Sequence, residues 1–134
     1  MREILFKAKR KDNGKWFEGY YQKKYDFLGN EEHRIFHADS YRVWEYAEID
    51  PETLCQFTGL CDKNGNKIWE NDIIQYGAVA AVVKFGEYGN GNLGFYVDFP
   101  EETNYRKDLS YWAKKVVVIG NAVDDRSLLQ EVPE

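Results

Sequence analysis

At 134 residues, with a net charge of −5, 16% aromatic residues and two cysteines, the chain is long enough to bury a core of its own and needs no disulfide framework. The negative balance argues against nonspecific attraction to nucleic acid by the molecule as a whole, and no apolar run approaches the length of a membrane span. The opening Met1-Arg2-Glu3-Ile4-Leu5-Phe6-Lys7 is charged rather than signal-like, so a single cytoplasmic domain over residues 1–134 is expected, with Cys55 and Cys61 kept as thiols.

Residues 3–10 place Ile4, Phe6 and Ala8 at the two-residue period of a half-buried strand. Asp12-Asn13-Gly14 then predicts a tight turn, because Asn-Gly accepts positive φ angles, and residues 16–21 make the returning strand. Residues 1–24 hold eight Lys or Arg against three Asp or Glu. On this hairpin Lys7, Lys9 and Lys11 are expected to project on one face near Trp16 and Tyr20, which is the composition of a nucleic-acid surface, with Lys7, Lys9 and Arg10 as its candidate contacts. The competing explanation is that outward lysines keep a terminal strand from pairing with other edges.

Residues 24–32 read as a loop, followed by the short apolar run Arg34-Ile35-Phe36 between His33 and His37. Histidines four apart on a strand lie roughly 13 Å from each other, too far to share an ion, and the pattern H-E-x-x-H is missing, so no metal is expected. Residues 41–49 alternate as a strand with Val43, Glu45, Ala47 and Ile49 on one side, and Asp50-Pro51-Glu52-Thr53 ends it in a turn or a single helical turn.

The longest coherent pattern is 56–74. Gln56-Phe57-Thr58-Gly59-Leu60 and Lys67-Ile68-Trp69 flank Asp62-Lys63-Asn64-Gly65 and predict a hairpin, after which Glu70-Asn71-Asp72 bends the chain again before Ile73-Ile74. The polar residues here are expected to turn the backbone, with only the aliphatic and ring positions around them buried. Glu70 and Asp72 are also the one pair of acids whose spacing merits a test as a catalytic site. Asp62 opens a stretch that starts like a calcium loop, but Lys67 and Ile73 stand where that loop needs glycine and glutamate.

Residues 78–85 are apolar almost throughout, as in a strand buried on both faces. A glycine-rich connector, 86–92, returns the chain to a strand over 93–99. Gly89, Gly91 and Gly94 spell G-x-G-x-x-G, yet that motif works by opening a helix and a β-rich run follows, so no cofactor is expected. From Glu101 an amphipathic helix is predicted through Trp112 and Ala113, acids at its start and Lys114-Lys115 at its end. Residues 116–119 predict another buried strand closed by Gly120-Asn121, and Asp124 or Asp125 caps a last short helix through Leu128-Leu129.

These residues resemble the YopX family, small proteins associated with phages and bacterial prophages. The likeness is carried by the opening 2–8, by Gln56-Phe57-Thr58-Gly59-Leu60, Asp62-Lys63-Asn64-Gly65 and Ile68-Trp69-Glu70-Asn71-Asp72-Ile73-Ile74, and by Val118-Ile119-Gly120-Asn121 with Leu128-Leu129. Cys61 and Asn71 depart from the family's usual lysine-like residue and glycine. The resemblance implies a mainly β pseudo-barrel of antiparallel strands and hairpins capped by one or two short helices, with some likeness to PRC-barrel domains. It implies no reaction and no cofactor. The expected function is a noncatalytic protein-interaction or self-assembly module, as a homo-oligomer or with another protein. Two rivals stand beside it: a nucleic-acid-binding β-barrel using the basic N-terminal hairpin, and an enzyme with a carboxylate site at Glu70 and Asp72.

Overall fold

The structure, a computed structural model, describes residues 4–37 and 45–129. The chain divides into two compact units, Met1–Phe57 and Thr58–Glu134, each with its own hydrophobic cluster.

In the first unit the chain runs through β1 (Phe6–Lys9), β2 (Trp16–Tyr25), β3 (Glu31–His37), β4 (Tyr46–Glu48), a 3-10 turn at Pro51–Thr53 and the start of β5 (Cys55–Cys61). The strands pair antiparallel in the order β4-β3-β2-β1-β5. Ala8, Ile35 and Ile49 form the core, with Phe6, Phe17, Tyr21 and Leu54 packed against it. Ile4 is exposed and Leu5 buried, the reverse of the expected alternation, because Leu5 already accepts a hydrogen bond from Phe57 N–H in β5 at 2.8 Å. Ala47 and Ile49 are buried as predicted, while Val43 lies outside the described residues. The predicted helical turn at Pro51 is present, capped by Asp50, whose carboxylate accepts from Glu52 N–H at 3.0 Å.

The loop expected over 24–32 is instead a long hairpin. β2 continues to Tyr25, which pairs with Glu31, and only residues 26–30 stand outside the ladder. The polar residues there are held by charge rather than by apolar alternation: Lys23 meets Glu31 at 3.4 Å and Lys24 meets Glu32 at 3.9 Å. Further back, Gly19 passes so close to β3 that a Cβ on it would lie 1.8 Å from the Phe36 carbonyl oxygen. Gly19→Ala is expected to force β2 and β3 apart and destabilise the protein by about 2 kcal/mol. A lower urea midpoint together with faster amide exchange along β3 would register it.

In the second unit β5 ends at Cys61 and is followed by β6 (Lys67–Trp69), β7 (Asp72–Tyr76), β8 (Val79–Tyr88), β9 (Asn92–Val97), the one-turn helix α1 (Leu109–Trp112) and β10 (Val117–Asn121). β6 lies beside β5, and a second sheet has the order β10-β7-β8-β9. The mainly β class with short helices is as expected, and the strands of the described residues form two antiparallel sheets. Ile74, Ala81, Val83, Val97 and Phe99 meet Ile68, Leu109, Trp112, Ala113 and Val116 in the core.

Burial on both faces, expected for 78–85, holds only for 81–83; Lys84 and Phe85 are exposed. The glycine-rich connector is shorter than expected, since β8 runs to Tyr88 and Gly86 pairs with Gly94 inside the ladder. Gly94 therefore sits in a strand, not before a helix. The amphipathic helix predicted from Glu101 is broken into 3-10 turns at Glu101–Thr103 and Ala113–Lys115 with α1 between them. Asn104, at φ +58, ends the first turn, and the chain is then drawn onto the sheet edge, where Lys107 O accepts from Val97 N–H at 2.8 Å and Asp108 bridges Tyr96. Of the predicted buried strand 116–119, only Val116 is fully buried, because β10 is an end strand of its sheet. The last helix is a 3-10 turn, Arg126–Leu129, with Asp125 O accepting from Leu128 N–H at 2.9 Å.

Candidate functional site

Within the second unit, the central signature and the segment around Val118-Ile119-Gly120-Asn121 meet around two buried carboxylates. The turn at Asp62-Lys63-Asn64-Gly65 joins β5 to β6, with Gly65 at φ +85. Asp62 is only 4% exposed. Its Oδ1 accepts from the N–H groups of Asn64 and Asn66, both at 2.9 Å, and its Oδ2 from Val118 N–H of β10 at 2.9 Å. Lys63 N–H adds a second tie, donating to Val116 O at 3.1 Å. Burial by itself would raise the pKa of Asp62, but the N–H groups of Val118, Asn66 and Asn64 outweigh it and hold the carboxyl below its ordinary range.

At the second bend Asn71 stands at φ +74, a left-handed conformation that asparagine tolerates better than most residues. Its N–H donates to Val83 O and its carbonyl accepts from Ala122 N–H, each at 2.7 Å. Asp72, 3% exposed, accepts Trp69 N–H on Oδ2 at 2.7 Å and pairs with Asn121 across β7 and β10, one step from Gly120 opposite Ile73. A Cβ on Gly120 would come within 2.7 Å of Asp125 Oδ2. Asn121 Oδ1 accepts from Val123 N–H at 3.0 Å and Asp124 N–H at 2.8 Å. Thr58 Oγ1 donates to Ile68 O at 2.7 Å, joining β5 to β6, while Gln56 faces Phe6 in the ladder. Ile68 and Ile73 are fully buried, Leu60 is half-buried against the core, and Gly59 is exposed at φ +87.

The signature's polar residues do turn the backbone. The companion expectation, that only aliphatic and ring positions are buried, is corrected by Thr58, Asp62 and Asp72, whose oxygens exchange water for backbone partners. The acids also serve different partners: Asp62 binds the amides of 64, 66 and 118, and Asp72 binds that of 69.

On the basic hairpin, Lys7 and Lys9 do gather at Trp16, with Nζ atoms 4.7 and 5.6 Å from its ring centroid. Arg10 is held by Asp12 in a two-bond fork of 3.0 and 2.8 Å, which lowers the carboxyl's pKa, and its guanidinium lies 5.2 Å from the Phe17 ring. His33 Nδ1 shares a 2.6 Å hydrogen bond with the Tyr21 hydroxyl, its Nε2 lies 3.1 Å from Glu31, and His37 packs edge-on against Phe17. Among the described residues no group of three or more His, Cys, Asp or Glu is placed to hold a metal ion. Both cysteines are free, Cys55 buried and Cys61 exposed.

Two features escaped the sequence reading. The first is the β2–β3 turn, where Asp26 Oδ1 accepts from Leu28 and Asn30 N–H at 2.9 Å and Oδ2 from the Asn30 side chain at 3.2 Å. On this clamped turn Phe27 is 96% and Leu28 73% exposed. Asp26 with Gly29-Asn30 was the local signal for it. The second is a cavity of about 540 Å3 beside the signature turn, with Lys63, Lys114 and Lys115 in its wall. No local signal joins those lysines.

The chain matches the family model described as YopX protein over residues 5–130. Its fold is similar to a crystal structure of protein EF1440 from Enterococcus faecalis, with a TM-score of 0.54 and 22% identity, covering 96% of this chain and 99% of that one. No match is found among curated proteins. No helix among the described residues is long and apolar enough to cross a membrane.

Proposed function

The chain belongs to the YopX protein family, and from that premise we propose that it is a noncatalytic protein-interaction module docking through the tip of the β2–β3 hairpin. The observation that carries this reading is the pair Phe27 and Leu28, 96% and 73% exposed on a turn whose Leu28 and Asn30 N–H groups donate to Asp26. Covering such side chains removes apolar surface worth about 2 kcal/mol each. A turn ordered in advance loses little further entropy on docking. The ion pairs of Lys23 with Glu31 and Lys24 with Glu32 flank the tip as a polar rim around an apolar centre.

Catalysis at Glu70 and Asp72 has less support, since Asp72 is buried and bonded to Trp69 N–H. The nucleic-acid reading is disfavoured because Lys7 and Lys9 already lie over Trp16, where a base would stack, and Arg10 is forked to Asp12. A setting in phage or prophage biology, in the cytoplasm, belongs to the same proposal.

The test is the double substitution Phe27→Ser with Leu28→Ser. Stability should change by less than about 0.5 kcal/mol, as for exposed positions. In sedimentation velocity over a range of concentrations, wild type should self-associate and the variant remain monomeric. If wild type is a monomer throughout, the partner is another protein, and it should be retained by wild type but lost by the variant. A variant matching wild type in both oligomeric state and retained partners would overturn the proposal.

A further inference from the structure

We propose that the cavity beside the signature turn binds a small organic phosphate monoester through Lys63, Lys114 and Lys115. This inference does not depend on the hairpin tip. The three lysines come from two segments, the β5–β6 turn and the 3-10 turn Ala113–Lys115, and line one cavity of about 540 Å3. That volume lies within the range of small-ligand sites, roughly 300–1,000 Å3. The segments are fastened to one another, because Lys63 N–H donates to Val116 O at 3.1 Å and Asp62 Oδ2 accepts from Val118 N–H at 2.9 Å. The cluster is therefore built into the fold.

Lys115 Nζ lies 4.8 Å from the Tyr111 ring centroid, a contact that leaves its charge in place, and the cluster lacks carboxylate partners among the described residues. Elsewhere in this unit Lys84 faces Asp98 at 3.2 Å, Arg106 faces Asp108 at 2.7 Å and Lys107 faces Glu101 at 3.5 Å. Among the described residues no carboxylate forms an ion pair with Lys63, Lys114 or Lys115. Asp62, the acid in the cavity wall, has both oxygens engaged by backbone N–H groups. In a chain of net charge −5, three lysines in the wall of one concave surface favour a compact anion. A phosphate monoester, carrying about −1.5 to −2 charges at neutral pH, matches them better than a single carboxylate. The cavity also exceeds one phosphate, and Leu60, Tyr111 and Ala113 supply an apolar wall for the organic part.

Cys61 lies in the same wall and is exposed, whereas Cys55 is buried, so a thiol reagent applied to the folded full-length chain reports on the cavity. The probes are ribose 5-phosphate and AMP, with ribose, adenosine, inorganic phosphate and sodium chloride at matched ionic strength as controls. The two organic phosphates should slow labelling of Cys61 saturably, by at least about threefold as expected for occlusion by a bound ligand. They should also shift the amide resonances of Lys63 and Lys114, a readout that serves even when the ligand leaves the thiol open. In the variant carrying Lys63→Gln, Lys114→Gln and Lys115→Gln both responses should vanish while the urea midpoint stays near that of wild type. Absence of both responses, equal responses in the triple variant, or responses of the same size produced by sodium chloride, ribose or adenosine would overturn the proposal.

Discussion

Replacing Asp62 with alanine is expected to lower stability by about 3 kcal/mol, because three partly buried backbone N–H groups lose their shared, buried acceptor at once. The donors belong to Asn64, Asn66 and Val118, so the substitution loosens the β5–β6 turn and frees it from β10 in a single step. Asp62→Asn should fall between the two, at about 2 kcal/mol, since one oxygen remains while an NH2 group is turned toward other donors. Urea denaturation at neutral pH measures both. The pH dependence gives an independent check. The folded-state pKa of Asp62 lies below its unfolded value of about 3.9, so its contribution is fully present above that pH and is lost as the pH falls through the folded value. The gap between wild type and Asp62→Ala should therefore narrow in acid. A gap that is absent at neutral pH, or unchanged down to pH 2, would contradict the assigned role.

Trp112→Ala should be of similar size, about 4 kcal/mol, by removing a large buried ring. Trp112 stands at the centre of an aromatic group, with centroids 4.8 Å from Tyr76, 5.0 Å from Tyr111, 5.1 Å from Phe99 and 5.3 Å from Tyr105. Its Nε1–H donates to Arg106 O at 2.8 Å, which also fixes the extended segment ahead of α1. A helix of one turn has no stability of its own, so α1 persists because this side chain anchors it. Trp112→Phe keeps much of the ring packing and loses the hydrogen bond, and should cost about half as much. Thermal melts together with near-ultraviolet circular dichroism would follow both variants. An alanine variant within about 1 kcal/mol of wild type would mean that α1 is held by other contacts.

The turns of this chain are local events. Asp12-Asn13-Gly14, Asp50-Pro51 and Asp62-Lys63-Asn64-Gly65 each place a short polar side chain next to the amides it can bond, and each turn lies where the residues predict it. The strands of the central hairpin follow from the same logic, as does the family likeness, which rests on these turn residues and the aliphatic positions between them. The helix expected from Glu101 fails for the opposite reason. Its acids, bases and apolar residues favour a helix, but Val97 N–H and Tyr96 on the sheet edge recruit Lys107 and Asp108, and an edge bond made far along the chain outweighs local preference. The β2–β3 hairpin was hidden differently, since its outer half is held by Lys23, Lys24, Glu31 and Glu32 and shows no apolar period.

Amino-acid order alone determined the β class, the places where the backbone reverses, and the signature that links this chain to its family. Tertiary structure decided the rest: that Asp62 reaches β10, that Asp72 is buried, that Phe27 stands in solvent, and that Lys63 shares a cavity with Lys114 and Lys115. A turn is settled among neighbours within four residues, whereas Asp62 and Val118 are 56 apart, and no local pattern encodes which distant partners packing will bring together.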